Sequence, residues 1–214
     1  MNTDIDEVLA KAKIQCVKPP KPEGPAEKQT AILDRWGWVW THIPVEYRYA
    51  GVPPIDVLTA ARECLQPDSH KLRILTLTGP VGVGKTIAAA QLAAWIDSAL
   101  WAGETRPSEH RVRYHLCLRM GWAGEDEIDE SIGCSTLIMD DLSGSFSAAG
   151  LAKAQQIIEE RKAHQRRTII TTTMTLRTLA AREREVNGGV ELGLASRLAG
   201  GRVVVMGGPD RRTA

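Results

Sequence analysis

The stretch from Ile74 to Trp101 constrains this 214-residue chain more than any other. Ile74-Leu75-Thr76-Leu77-Thr78 reads as a short buried strand, Gly79 to Thr86 as a glycine-rich turn, and Ile87 onward as a helix that is apolar nearly all round. A strand passing through a tight turn straight into such a helix is the opening unit of an α/β sheet. The turn, Gly79-Pro80-Val81-Gly82-Val83-Gly84-Lys85-Thr86, also has the pattern G-x-x-x-x-G-K-T. Gly79, Gly82 and Gly84 let the backbone take left-handed angles and wrap closely around phosphate, with loop N–H groups and the positive helix end facing the anion. Lys85 can reach the β- and γ-phosphates of a nucleotide, and the Thr86 hydroxyl can ligate Mg²⁺. The competing reading is a glycine-rich turn with an incidental lysine.

A second signal follows. Thr136-Leu137-Ile138-Met139-Asp140-Asp141 is an apolar run ending in acids, the pattern of a buried parallel strand whose C-terminal tip carries carboxylates. Ligands of open α/β sheets bind at those tips. Asp140 is therefore expected to hold, through water, the Mg²⁺ that Thr86 touches, and Asp141 to orient an attacking water. Two adjacent acids are otherwise a common strand-ending turn. The strand Thr168 to Thr173 should lie beside this one, which makes Thr173 a candidate to touch the γ-phosphate or the water, or else simply to satisfy its own turn. Arg197, in the short segment Leu192 to Leu198, is a candidate arginine finger into a neighbouring subunit's nucleotide. A surface arginine without a role is the competing reading.

Around these signals the chain divides in three. Residues 1–28 combine a short helical pattern from Thr3 to Ile14 with a linker from Val17 to Pro25 that carries four prolines. Residues 29–50 form a connector containing Trp36, Trp38, Trp40, Tyr47 and Tyr49, read either as packing onto the core or as anchors for a partner protein. Residues 51–214 are the nucleotide-binding domain. Within it the pattern predicts a helix over Ile55 to Leu65 with Ile55, Leu58 and Leu65 inward and a strand over Arg111 to Leu118. It also predicts helices over Ala148 to His164 and Leu176 to Val186, and a last strand over Arg202 to Met206.

Composition excludes several classes. Cys16, Cys64, Cys117 and Cys134 have no C-x-x-C spacing, which argues against a zinc site or a disulfide framework. No run approaches the roughly 18 apolar residues of a membrane span, and the N-terminus lacks an apolar signal core, so a cytoplasmic protein without membrane attachment is expected. A formal net charge of +1 gives no global pull toward nucleic acid, although bases outnumber acids from Leu151 onward.

Taken together, "HIPVEYRYA", "GPVGVGKT", "LIMDDL", "IIEERKAHQRRTIITTTMT" and "SRLAGGRVVVMGGPDRR" resemble, in order and spacing, the DnaC/DnaI/IstB branch of AAA+ ATPases, the helicase loaders and transposase helpers. The resemblance runs from about His42 to Arg212. It implies an α/β P-loop NTPase of AAA+ type, with a parallel sheet flanked by helices. It implies Walker A roles for Gly79, Gly84, Lys85 and Thr86, with Pro80, Val81, Gly82 and Val83 completing the loop, and a Walker B pair in Asp140 and Asp141. Arg197 falls at the arginine-finger position and Arg212 at a sensor-2-like position, with Arg211 as fallback. The family usually has Asn where this chain has Thr173. A hydroxyl reaches less far and offers one donor rather than two, which implies slow turnover. The segment before the acid strand is shorter than in these relatives, so an insertion helix that contacts DNA in them is reduced here.

Three functions compete at this stage. The first is an ATP- and Mg²⁺-dependent helicase loader that assembles with itself, binds a replicative helicase through its N-terminal segment and delivers it to single-stranded DNA. The second is a transposition helper binding duplex DNA and a transposase. The third, a small P-loop kinase, is disfavoured by the double-acid strand tip and the missing basic lid.

Overall fold

The computed structural model describes residues 43–44, 47, 53–65, 73–101, 112–142, 147–190 and 193–210. The expected N-terminal helix and linker, Cys16, Trp36, Trp38, Trp40, Tyr49, Arg211 and Arg212 lie outside these residues.

Five strands form one sheet: β1 (Ile74–Thr78), β2 (Val112–Leu116), β3 (Thr136–Asp140), β4 (Arg167–Thr172) and β5 (Arg202–Val205). Their order is β2-β3-β4-β1-β5, and every pair is parallel. Parallel pairing requires crossovers, which the helices supply: α1 (Ile55–Cys64) precedes β1, α2 (Lys85–Trp101) joins β1 to β2, and α3 (Glu125–Gly133) leads into β3. Next, α4 (Ala148–Ala163) joins β3 to β4, and α5 (Leu176–Val186) and α6 (Leu194–Ala199) join β4 to β5. Both sheet faces are therefore covered, which is why β1, β3 and β4 are buried along their whole length.

Strand alternation splits the core in two. Leu75, Leu77, Ile138 and Ile169 pack with α1 and α2 on one face, while Ile74, Leu137, Met139 and Ile170 pack with α4 and α6 on the other. The parity that turns Ile138 toward α2 also turns Asp140 that way, and the parity of Ile169 carries Thr171 to the same side.

Several details depart from the sequence expectation. Strand β2 stops at Leu116 rather than Leu118. Its ladder partner β3 ends at Asp140, opposite Leu116, so the chain has nothing left to pair with and turns into a 3₁₀ segment, Cys117–Trp122, that buries Cys117 and Met120. Strand β4 stops at Thr172, whose hydroxyl accepts from the Met174 N–H at 3.1 Å and turns the chain. Helix α1 buries Leu58 and, just past its end, Leu65 as expected, with Val57, Ala61 and Cys64 beside them, while Ile55 is 44% exposed. Cys64, Cys117 and Cys134 are buried thiols outside any disulfide. Among the described residues no helix is long and apolar enough to cross a membrane.

One buried charge ties the α4 face together. Arg161 extends the inward row of Ala154, Ile157 and Ile158, yet it is 0% exposed. Among the described residues no carboxylate bonds to it. Its Nη1 donates to the carbonyls of Ser131 (2.7 Å), Ile132 (3.1 Å) and Cys134 (2.7 Å), its Nε to Thr168 Oγ1 (3.0 Å), and its Nη2 to the Arg167 carbonyl. These carbonyls belong to the negative C-terminal end of α3 and to the start of β4, so peptide dipoles take the place of a counter-ion. Burial lowers the guanidinium pKa to about 10, and it stays charged at neutral pH.

Each buried acceptor left unpaired costs about 1–3 kcal/mol. Arg161→Met, which fills the volume but pairs none of these groups, is therefore expected to lower unfolding free energy by about 3 kcal/mol or more in urea titration. A loss under about 1 kcal/mol would mean that water reaches these carbonyls and that the guanidinium is dispensable.

Candidate nucleotide-binding site

The loop from Gly79 to Gly84 leaves the tip of β1 between β4 and β5, and its glycines are there for definite reasons. Gly79 has φ +151°, and a β-carbon on it would lie 2.1 Å from the Met206 carbonyl oxygen. Gly82 has φ +84°, and a β-carbon there would lie 2.0 Å from the Asp210 carboxylate. The loop is thus pressed between the β4 tip, whose Thr172 carbonyl accepts the Gly79 N–H at 3.3 Å, and the chain that follows β5. Pro80 and Val81 are exposed or half-exposed at the loop crest, whereas Val83 is buried in the core beneath. The Lys85 ammonium, 8% exposed, donates to the Gly79 carbonyl at 2.9 Å and the Pro80 carbonyl at 2.7 Å, so its charge lies inside the curve of the loop.

Beside it, Thr86 on the first turn of α2 donates to Asp140 Oδ1 at 2.8 Å, reaching over β4 to the tip of β3. The structure therefore brings together Lys85, Thr86 and Asp140. Two further groups join them. Thr171 Oγ1 donates to the same Asp140 oxygen at 2.6 Å, and the Tyr114 hydroxyl donates to Asp140 Oδ2 at 2.6 Å. Asp140 is only 5% exposed, and charge-assisted bonds of this kind are what a buried carboxylate requires. Burial, and then the bond to Asp140, push the Tyr114 hydroxyl far above its ordinary pKa, so it stays a donor.

Asp141 is placed differently. Its side is exposed, its backbone has φ +56°, and its N–H donates to Thr171 Oγ1 at 2.9 Å. A non-glycine residue in the left-handed region is uncommon, aspartate being among the more tolerant types, and such outliers gather at functional sites. Thr173 lies one residue past β4 at the tip adjoining the loop, and it is exposed. Its neighbours Thr171 and Thr172 are both committed inward, to Asp140 and to the Leu142 carbonyl.

Arg197 is not among these residues. It lies on α6, two residues separating that helix from β5, at the end of the strands opposite the loop. Gly201 abuts the first residue of β1, its virtual β-carbon 2.2 Å from the Ile74 carbonyl oxygen. A strand the length of β1 spans roughly 16 Å, which puts Arg197 out of reach of its own loop. Its guanidinium contacts Glu159 on α4. Helix α6 is held by the fully buried Glu183, which accepts the Leu194 N–H at 2.8 Å and the Ala195 N–H at 3.3 Å.

Tyr114, Thr171, Glu183 and Asp210 escaped the sequence reading. Only the alternation of β2, which puts Tyr114 on the apolar side with Val112, hinted at the first.

The sheet and this loop together make an α/β fold with a G-x-x-x-x-G-K-T phosphate-loop motif at the tip of β1. More particularly, its fold is that of solved replication proteins. The structure of DnaI matches with a TM-score of 0.58 and 18% identity, over 79% of this chain and 94% of that one. The DnaC helicase loader matches at 0.55 and 18%, over 77% and 100%. The replication initiator DnaA bound to AMPPCP and single-stranded DNA matches at 0.57 and 17%, over 78% of this chain and 51% of that one. No family profile and no curated protein matches the sequence.

Lys85→Ala removes the cation from the loop and is expected to abolish nucleotide binding by equilibrium titration. Retained tight ATP binding would refute the assignment of this loop.

Proposed function

We propose that this chain is an ATP-dependent helicase loader. It would bind ATP with Mg²⁺ at the Gly79–Thr86 loop, assemble with copies of itself, and deliver a replicative helicase to single-stranded DNA. The observation that carries the reading is the Thr86–Asp140 bond of 2.8 Å beneath the lysine-bearing loop, within a fold shared with DnaI and the DnaC helicase loader.

The donor set fits a hard cation. Thr86 and Asp140 supply a hydroxyl and a carboxylate, and Mg²⁺ commonly takes one or two such groups together with phosphate oxygens and water. Among the described residues there is no group of three or more His, Cys, Asp or Glu that could cage a metal alone. Held by Thr86 and Asp140, Mg²⁺ would supply positive charge to offset that of the phosphates. The chain's own residues do the rest. Loop N–H groups and Lys85 orient the phosphates, and Asp141, exposed beside Asp140, orients water for attack at the γ-phosphate. Thr173, exposed just past the neighbouring strand tip, would hydrogen-bond that water or the phosphate through a single hydroxyl. One such donor supports slow hydrolysis, and so an ATP-bound state that persists. Arg212, two residues beyond the Asp210 that touches the loop, would add charge at the phosphates.

The location of Arg197 supports a role between subunits. An arginine at the end of the strands opposite its own loop is available to the nucleotide of a neighbour, once the contact with Glu159 is exchanged for the phosphate. The partner helicase is assigned to the aromatic N-terminal segment, and localisation to the cytoplasm.

Two experiments test these assignments. Arg197→Ala and Lys85→Ala chains, each inactive alone, are expected to regain part of the ATPase rate when mixed, because one supplies the loop and the other the arginine. No recovery at any ratio would remove Arg197 from that role. ATP-dependent binding to single-stranded and duplex DNA separates loader from transposition helper. The loader binds single strands preferentially and weakens as salt rises, with a log–log slope of about −0.7 per phosphate contacted. A duplex preference with filament growth would replace it with the transposition helper.

A further inference from the structure

We propose that Tyr114 is a positioning residue for Asp140, and that Tyr47 couples its placement to the segment leading in from the N-terminal part of the chain. The proposal rests on the reading of Thr86 and Asp140 as the Mg²⁺-ATP site and assigns that site a further control.

The geometry is specific. Asp140 Oδ1 already accepts two hydroxyls, from Thr86 at 2.8 Å and Thr171 at 2.6 Å, while Oδ2 has one described partner, the Tyr114 hydroxyl at 2.6 Å. The terminal torsion of an aspartate is broad and nearly two-fold, so hydroxyls on one oxygen alone leave the carboxylate plane loosely set. A short O–H···O⁻ bond on the other oxygen fixes that plane. Tyr114 reaches Asp140 because β2 and β3 are in parallel register: Leu116 lies opposite Asp140, and Tyr114, two residues earlier, points to the same face. Orientation of a ligating carboxylate by a hydrogen-bonded neighbour is a general determinant of metal affinity.

What holds the tyrosine ring is unusual in its origin. Tyr114 packs on the α1–α2 core against Tyr47, with ring centroids 6.5 Å apart and a tilt of 41°. Tyr47 belongs to a turn in which its N–H donates to the Pro44 carbonyl at 3.0 Å, and Ile43 at the start of that turn is 1% exposed in the same core. The turn is where the aromatic connector meets the nucleotide-binding domain. A pull on the connector that shifts Tyr47 shifts the ring of Tyr114, and through its hydroxyl the carboxylate that Thr86 contacts. A partner bound upstream thereby gains a short mechanical path of two side chains to the cation site.

A purely structural reading would have the Tyr114 hydroxyl doing no more than satisfying a buried acceptor. Equilibrium binding of a fluorescent ATP analogue, measured in EDTA and across a Mg²⁺ titration, separates the two. Tyr114→Phe keeps the ring and its packing. It is expected to bind nucleotide like wild type in EDTA while needing about 10-fold more Mg²⁺ for half-maximal tightening. Tyr47→Leu, which leaves every bond to Asp140 in place, is expected to shift the same midpoint about 3-fold, as a lost aromatic contact of modest strength would. An unchanged Mg²⁺ midpoint in Tyr114→Phe overturns the proposal, whether or not its melting temperature falls, and so does a Tyr114→Phe chain that no longer folds. A shift in Tyr114→Phe without one in Tyr47→Leu overturns the coupling. Wild-type protein that binds no nucleotide in either condition overturns the site reading itself, a result distinct from all of these.

Discussion

A single carboxylate organises the working half of this molecule. Asp140 is almost wholly buried and would cost several kcal/mol in an apolar setting. Three hydroxyls meet it instead, from Tyr114 on β2, Thr171 on β4 and Thr86 on α2. No basic side chain is among these bonds, so the negative charge is solvated by the chain without being neutralised. That distinction matters chemically. A lysine or arginine paired with Asp140 would stabilise it equally well and remove its attraction for a cation. Hydroxyl donors hold it in place and leave its charge to act on what approaches from the loop side.

The two faces of the sheet have divided the labour. The α1–α2 face carries Asp140, Thr171 and Tyr114 on successive strands, all fixed by the same alternation that turns Leu75, Leu77 and Ile169 inward. The other face carries no part of the phosphate loop and contains instead the buried groups that tie helices to the sheet, Arg161 at the end of α3 and Glu183 at the start of α6. Both of these charges are satisfied by helix ends, a cation on carbonyls and an anion on N–H groups, each at the end of the helix dipole that suits it. Glu183 thereby fixes the helix on which Arg197 stands, and Glu159 holds the Arg197 side chain.

How much of this could be read beforehand follows from chain distance. The loop from Gly79 to Thr86 and the strand ending in Asp140 and Asp141 are contiguous patterns, and their types and order were legible because the chemistry is written in neighbouring residues. Helices α4 and α5 and strand β1 likewise lie close to where periodicity put them. Thr171 and Tyr114 were not legible, because their role depends on which residue of one strand lies opposite which residue of the next. Thr171 and Thr173 share a parity, and nothing local shows that β4 ends between them. Arg161 carries no local signal of its role, since the carbonyls that receive it come from α3 and β4. Ile55 shows the reverse failure: it fits by spacing the face that buries Leu58 and Leu65, yet at the first position of the helix it is left at the surface.

The position of β1 in the sheet has a consequence for how the protein comes into being. The strand that carries the phosphate loop is flanked by β4 and β5, and by neither of the strands that follow it directly. Its backbone partners are residues 168–172 and 202–205, and Met206 closes over Gly79. During synthesis the loop sequence therefore leaves the ribosome long before the residues that give it shape, and such distant pairings are slow to form. A nascent chain halted before Met206 contains every residue of the phosphate motif and lacks the wall against which the loop is pressed. The shape of this loop is thus a property of the finished sheet. If the chain binds ATP as proposed, nucleotide present as that sheet is finished would favour the completed state by mass action and draw its last strand into place.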